Sequence, residues 1–279
     1  MVDSSLIGVV AGGGQFPLLF IEAARKAGRR VALVAHVGET MPEAATAADL
    51  LCWVKLGQFG KLLDFFREHG VGETVFLGAI TKTKIFTNVF PDMRGLALWN
   101  RIRSHQDDNL LRAIARELED AGISVRESTM YLRHLLFPVG VLGKKKPTDE
   151  QRRDIEFGFK QARAIGALDI GQCVVILDRT VLAVEAIEGT DAAIRRGGAL
   201  AKGKVVAVKV RKPGQDFRFD LPATGPRTIQ ALAEVKGAVL AVEAEQSLIF
   251  DRDEMISLAD QSGIAVIGVE EQADGHLRF

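Results

Sequence analysis

Leu6-Ile7-Gly8-Val9-Val10-Ala11-Gly12-Gly13-Gly14-Gln15-Phe16-Pro17 is a short apolar run that empties into three glycines and restarts behind a proline. An apolar run of this length bounded by turn formers reads as a buried strand, here over 6–10. Beyond it Leu18, Leu19, Ile21, Ala23 and Ala24 recur at helical spacing as far as Gly28, and Pro17 suits a first helical turn. The alternation repeats. A strand is predicted over 31–35, a helix over 59–69 and a strand over 74–77 ending at Gly78, which gives a βαβαβ order and a mainly parallel sheet.

The chain has 279 residues, and at roughly 150 residues per domain that length predicts two domains. Its 47% hydrophobic and 26% charged residues describe a globular protein rather than a disordered one. Lys and Arg number 36, as do Asp and Glu, so there is no basic excess to neutralise a nucleic acid, and no nucleic-acid partner is expected. Cys52 and Cys173 lie far apart between apolar neighbours, which favours free buried thiols and a reducing, cytoplasmic setting. The N-terminus lacks the basic region of a signal peptide, and no apolar run reaches the 18 or so residues of a membrane span.

Between 80 and 100 the alternation breaks. Ile85, Phe86, Val89, Phe90, Met93, Leu96, Leu98 and Trp99 stand in a segment that also holds Pro91 and Gly95, an apolar loop that either caps the sheet or walls an apolar ligand. A helix is predicted over 109–121, with Asp107 or Asp108 at its N-cap and Gly122 at its end. The glycine-bracketed stretch 140–147 reads as a linker. Thr148-Asp149-Glu150-Gln151 then has the form of a capping box, opening a helix to about Ile165 and a second α/β domain. That domain carries a predicted hairpin around Asp178-Arg179-Thr180, further strands over 205–208, 238–242 and 265–269, and helices from Asp191, over 228–234 and over 253–261. The expected architecture is α/β throughout: a Rossmann-like parallel sheet with helices over 1–139, a short linker over 140–147, and a C-terminal α/β domain over 148–279, joined around a central cleft.

Three regions could carry chemistry. The glycine turn, Gly12, Gly13, Gly14 and Gln15, is either a tight strand-to-helix turn or a phosphate or nucleotide site at a helix N-terminus, and Gly78 at the end of the third predicted strand is a further substrate-binding candidate. It is a poor dinucleotide fingerprint: Pro17 stands where a glycine is needed, and His36 ends strand two where an acid would hold a ribose. Glu185, Glu188 and Asp191 crowd a strand end, where a carboxylate must be paired, solvated or protonated, and where one or two carboxylates plus phosphate and water commonly hold magnesium. Asp191 also reads as a helix cap. The third region is 212–228, in which Asp220 before Leu221 and Pro222 is either a turn-forming acid or a general base or metal ligand. There is no G-x-S-x-G elbow and no paired-histidine spacing for zinc.

At these residues the chain resembles the LpxI-type UDP-2,3-diacylglucosamine pyrophosphatases of lipid A biosynthesis. The resemblance runs through Ala11-Gly12-Gly13-Gly14 with Pro17, Gly57-Gln58-Phe59-Gly60-Lys61, Pro91-Asp92-Met93-Arg94-Gly95-Leu96, Asp107-Asp108 and Leu168-Asp169-Ile170-Gly171-Gln172. It continues through Ala183-Val184-Glu185, Glu188-Gly189-Thr190-Asp191 with Arg195-Arg196, and Arg218-Phe219-Asp220-Leu221-Pro222 with Gly225 and Thr228-Ile229. It implies two α/β domains enclosing a lipid chamber. The implied reaction is Mg2+-dependent hydrolysis, with Mn2+ as a substitute ion, of UDP-2,3-diacylglucosamine to UMP and 2,3-diacylglucosamine 1-phosphate (lipid X), water attacking the β-phosphorus. The Asp of the Asp-Leu-Pro motif transfers to Asp220 as the acid tied to catalysis.

On that resemblance Asp220 activates water or binds the metal, with Glu185, Glu188 and Asp191 as catalytic support and Asp220, Asp191 and Glu188 as the metal set. Thr190, Arg195, Arg196, Lys212 and Arg218 would bind substrate together with the glycine turn, and the segment from Ile85 to Trp99 would wall the acyl chains. Transient contact with the inner membrane and a homo-oligomer are compatible with it. Two other classes stay open, a nucleotide-dependent oxidoreductase and a non-catalytic lipid or nucleotide-sugar binder. The zero net charge is itself a cancellation: 202–218 holds six Lys/Arg against one Asp, and 251–279 two Arg against seven Asp/Glu.

Overall fold

The computed structural model describes residues 3–80, 89–101, 107–219 and 221–279, with the backbone alone at 101 and 107–109. It divides into two compact units, one of residues 1–133 with 216–220 and one of 134–215 with 221–279. Each is an α/β layer, as the alternation predicts.

In the first unit the strands are β1 (Leu6–Ala11), β2 (Arg30–His36), β3 (Leu50–Val54), β4 (Glu73–Leu77) and β5 (Ser124–Val125). They pair in parallel in the order β3-β2-β1-β4-β5, with the change of direction between β1 and β4. The helices are α1 (Phe16–Lys26), α2 (Pro42–Ala47), α3 (Phe59–Glu68), α4 (Met93–Arg101) and α5 (Asp107–Asp120). Leu6, Val10, Ala32, Val34, Phe66, Phe76 and Leu118 form one core with Phe219, which meets Phe76 edge-on at 5.5 Å between ring centroids.

Two departures from the sequence reading have physical causes. The strand β3 is not anticipated. It lies at the sheet edge and leaves Leu51 and Trp53 outward, so its five apolar residues show neither alternation nor helical period. The stretch read as an apolar loop contains α4, which Gly95 does not break because Asp92 caps it: the Asp92 carboxylate accepts from Gly95 N at 2.8 Å and from Lys61 N at 3.1 Å. One carboxylate thus serves the first turns of both α3 and α4, where the helix dipoles favour it. Ile85 and Phe86 lie outside the described residues, as do the side chains of Asp107 and Asp108.

The second unit has β6 (Gly140–Leu142), α6 (Asp149–Ala167), β7 (Cys173–Leu177), β8 (Thr180–Val184), α7 (Thr190–Ala201), β9 (Val206–Lys209), β10 (Ala223–Thr224), α8 (Pro226–Glu234), β11 (Val239–Glu243), β12 (Leu248–Ile249), α9 (Arg252–Ser262), β13 (Ala265–Glu271) and β14 (Leu277–Arg278). The main sheet runs β14-β13-β11-β9-β7-β8, parallel through β9, β11 and β13 and antiparallel elsewhere, while β10 and β12 make a separate parallel pair. The capping box forms, Thr148 accepting from Gln151 N and Gln151 from Thr148 N. In the hairpin, Asp178 and Arg179 take φ of 50° and 55°, and the buried Asp154 carboxylate accepts from both of their N–H groups.

The stretch 140–147 is not simply a linker. Gly140–Leu142 pairs antiparallel with β13, and the units divide near residue 133 instead, because these apolar residues complete the second sheet.

Two predictions follow from the caps and ion pairs. Asp92→Ala strands two helix N-termini and lowers unfolding free energy by about 2 kcal/mol, read by urea denaturation; an unchanged midpoint contradicts the double cap. Burial raises the pKa of Glu73, but hydrogen bonds from Arg29 at 2.6 Å and Arg126 at 3.0 Å outweigh it and hold the carboxyl below its ordinary value. That stabilisation is present above the unfolded-state pKa and lost as pH falls through the lowered one, so Glu73→Gln flattens the acid limb of a stability-versus-pH curve.

Candidate functional site

The first unit's switch point is where an open parallel sheet receives a ligand. Here the two departing chains are zipped together: Gly12 N donates to Leu77 O at 2.8 Å and Gly13 N to Ala79 O at 2.7 Å. Of the turn residues expected to face phosphate, Gly12 and Gly13 therefore spend their N–H groups within the protein. The glycines serve close approach instead, since a Cβ on Gly12 would lie 2.5 Å from Ala79 O, and one on Gly78 would meet the Gly13 carbonyl closer still. Gln15 stands at the N-cap position of α1 without a side-chain cap bond.

Below this zip lies a cavity of about 290 Å³, near the lower end of ordinary ligand sites. Its wall is overwhelmingly apolar, drawn from Val10, Phe59, Leu62, Phe76, Leu98, Trp99, Ile114 and Phe219 among others, and the inner face of α4 supplies one side. His36 also lines it. The His36 Nδ1 lies 2.9 Å from Ala11 O, which can only accept, so Nδ1 carries the proton, and burial lowers the imidazole pKa and keeps the ring neutral.

In the second unit the acidic strand end is real but smaller than expected. Glu185, just past β8, is 8% exposed; Thr190 Oγ1 donates to its Oε1 at 3.0 Å, and its Oε2 is buried without a hydrogen-bond partner. Asp191, in the first turn of α7 rather than at its cap, accepts from Thr228 Oγ1 at 3.3 Å, with the exposed Arg227 guanidinium 3.8 Å away. Gly189, at φ 85°, occupies the cap position. Burial pushes the Cys173 thiol far up, the Glu185 charge adds to it, and Lys209 opposes it, so this cysteine is a fixture of the core and not a nucleophile.

Several expected partners turn elsewhere. Glu188 binds Arg196 at 2.6 Å and its own turn at Ala186 N, and Arg195 is held by Glu234 at 2.5 Å. Lys212 pairs with Asp169 at 2.7 Å, and Arg218 with Asp216 at 2.8 Å and Glu119 at 2.7 Å. Each of these cations thus has a carboxylate partner within the protein. Among the described residues no group of three or more His, Cys, Asp or Glu side chains is placed to share an ion. Asp220 lies outside the described residues. Its neighbours are described: Phe219 lines the cavity and Leu221 is buried in the second unit.

Family models extend the geometry over nearly the whole chain. The LpxI N-terminal domain matches residues 6–135 and the LpxI C-terminal domain residues 138–267. The chain belongs to the LpxI family. A relative from Caulobacter vibrioides, UDP-2,3-diacylglucosamine pyrophosphatase LpxI, is 35% identical over 95% of this chain and 98% of its own length. Solved structures are far more distant. N5-carboxyaminoimidazole synthetase from Staphylococcus aureus with ADP aligns at 16% identity and TM-score 0.26, over 63% of this chain and 38% of its own. The gox2253 structure aligns at 10% and 0.31, over 73% and 72%.

Two LpxI residues that the sequence reading passed over are Lys209 and Glu243. Lys209 ends β9 at 5% exposure, and its Nζ donates to Ala223 O at 2.7 Å. Glu243 ends β11, accepting from Arg163 at 2.6 Å and from Arg211 N at 2.7 Å; burial raises its pKa against the pull of Arg163. The signal for both was the one that exposed Glu185, a charge inside an otherwise apolar strand. If the glycine turn is a close crossing, Gly12→Ala costs about 1–3 kcal/mol of stability, measured by thermal unfolding. Unchanged stability in that variant contradicts the crossing.

Proposed function

We propose that this LpxI chain hydrolyses the diphosphate of UDP-2,3-diacylglucosamine to UMP and 2,3-diacylglucosamine 1-phosphate, with an acyl chain of the substrate seated in the cavity of the first unit. The observation that carries the reading is the cavity itself: at the sheet position where a nucleotide-binding fold would accept a nucleotide, the wall is made of Val, Leu, Phe, Ile and Trp. Such a wall offers a nucleotide little to bond and an alkyl chain about 25 cal/mol for each Å² buried. An oxidoreductase reading is the weaker one, because the N–H groups of Gly12 and Gly13 are spent and His36 stands where the strand-end acid is needed.

Asp220 is the acid we assign to activating water at the β-phosphorus. It is covalently next to Phe219 of the cavity wall, with consecutive Cα atoms about 3.8 Å apart. Glu185 and Asp191 are the residues that fit a Mg2+ or Mn2+ ion: the buried Glu185 Oε2 has no partner, Thr190 ties Glu185 to the start of α7, and two carboxylates with waters and phosphate meet the demand of magnesium. Bound there, the ion would offset diphosphate charge. Glu188, Arg195, Arg196, Lys212 and Arg218 take structural ion pairs in this reading, and Arg218 fixes its own turn through Asp216. The acyl chains make brief contact with the membrane surface part of the cycle; no helix among the described residues is long and apolar enough to cross a membrane.

UMP release from the diacylated substrate, followed with and without EDTA and with Mg2+ restored, tests the reading. The expected result is release that EDTA abolishes and Mg2+ recovers; no release overturns the activity, and release indifferent to EDTA overturns the metal. Leu98→Trp, which fills the cavity, is expected to raise KM for the long-chain substrate about tenfold and leave a short-chain analogue within twofold. Equal effects on both substrates contradict the acyl assignment.

A further inference from the structure

Beyond the residues already assigned, one buried cation, Lys209, holds the backbone of the stretch that follows Asp220 in the sequence. Period-two alternation puts Lys209 on the face of β9 shared by Val205 and Ala207, against a core that includes Ile194 of α7 and Ile229 and Leu232 of α8. A lysine there is expensive to desolvate, and its cost is offset only by groups that accept from it. Among the described residues it makes no ion pair; its Nζ donates to one neutral group, the Ala223 carbonyl.

That carbonyl occupies a particular place. In the parallel pair of β10 and β12, Leu248 N donates to Pro222 O and Phe250 N to Thr224 O, so both flanking carbonyls point at β12. Ala223 O points the other way, along an edge that no strand among the described residues covers, and Lys209 Nζ takes the place of such a strand. The chain entering this stretch is fixed as well: Glu243 accepts from Arg211 N, Arg163 donates to Arg211 O at 3.4 Å, and Arg211 donates to Gln215 O at 2.7 Å. The stretch 211–223 therefore has a buried charge at each end, Glu243 at Arg211 N and Lys209 at Ala223 O, on opposite faces of one sheet, and Ala223 stands three positions after Asp220 in the sequence.

We propose that Lys209 is a positioning residue for the reaction, fixing through the Ala223 carbonyl the Leu221-Pro222-Ala223 stretch that follows Asp220 in the sequence. It rests on the assignment of Asp220 above. A cation that only supported the fold would, when replaced, lower stability and leave the turnover of folded protein alone. A positioning cation lowers kcat while substrate binding in the cavity, and hence KM, stays.

The test uses the full chain, with urea denaturation and near-UV circular dichroism reporting the folded fraction. Lys209→Met keeps the length and removes the donor; kcat is expected to fall about tenfold to a hundredfold with KM within twofold, the scale of a misplaced reacting group. Lys209→Arg, which keeps a donor, is expected to recover kcat to within about threefold of wild type. Should Lys209→Met fail to fold, Lys209→Gln, with a shorter neutral donor, carries the same expected split. Wild-type kcat in either folded variant, or a change in KM alone, overturns the proposal. Asp220→Asn in the same assay separates the two claims: wild-type turnover there overturns the role of Asp220 itself, whatever Lys209 does.

Discussion

The hydrogen bond from Lys209 Nζ to Ala223 O fixes one end of the stretch 211–223 at the cost of burying an ammonium. A covered strand edge would have done the same without charge, but β10 is two residues long and among the described residues pairs with β12 alone. The Arg163–Glu243 pair, half-buried on the arginine side and buried on the carboxylate side, anchors the other end of the stretch from the opposite face of the sheet. Between these anchors the chain leaves the second unit for five residues, lays Phe219 into the first unit's core and returns at Leu221. Apolar packing at Phe219 and polar fixation at Ala223 thus bracket Asp220 by one and three residues.

The first unit joins a parallel sheet with a switch point to an apolar cavity. Its strand order keeps the switch point, yet Gly12 and Gly13 spend their N–H groups on Leu77 and Ala79 and close the opening where a phosphate would lie. What stays open is the apolar volume beneath, walled partly by α4. That helix stands because Asp92 supplies the N-terminal acceptor that Gly95 needs, and because Gly95 has no Cβ to collide with the Gly57 carbonyl.

The fold was largely legible in the sequence because most of its elements obey one period each. The βαβαβ alternation, the Thr148 capping box and the Asp178-Arg179 hairpin all read correctly from local chemistry. The edge strand β3 and the helix α4 did not, since one is apolar on both faces and the other depends on a cap from Asp92 and a close approach at Gly57. The candidate site was legible in outline only. Glu185 announced itself as a charge in an apolar strand, but which arginine faces a ligand is a matter of partners distant in sequence: Arg195 finds Glu234 and Arg218 finds Glu119, and no local pattern encodes either pair. Lys209 carried the same signal as Glu185 and was passed over because basic residues around it made it look like part of a charged surface.

The central claim is that the switch-point cavity of this LpxI chain receives an acyl chain and not a nucleotide. Methyl NMR of the full-length protein, following the Leu62, Leu98 and Leu111 resonances during titration, tests it most directly. The account predicts that 2,3-diacylglucosamine 1-phosphate shifts these methyls and that UMP leaves them unmoved; shifts with UMP and none with the lipid would contradict it.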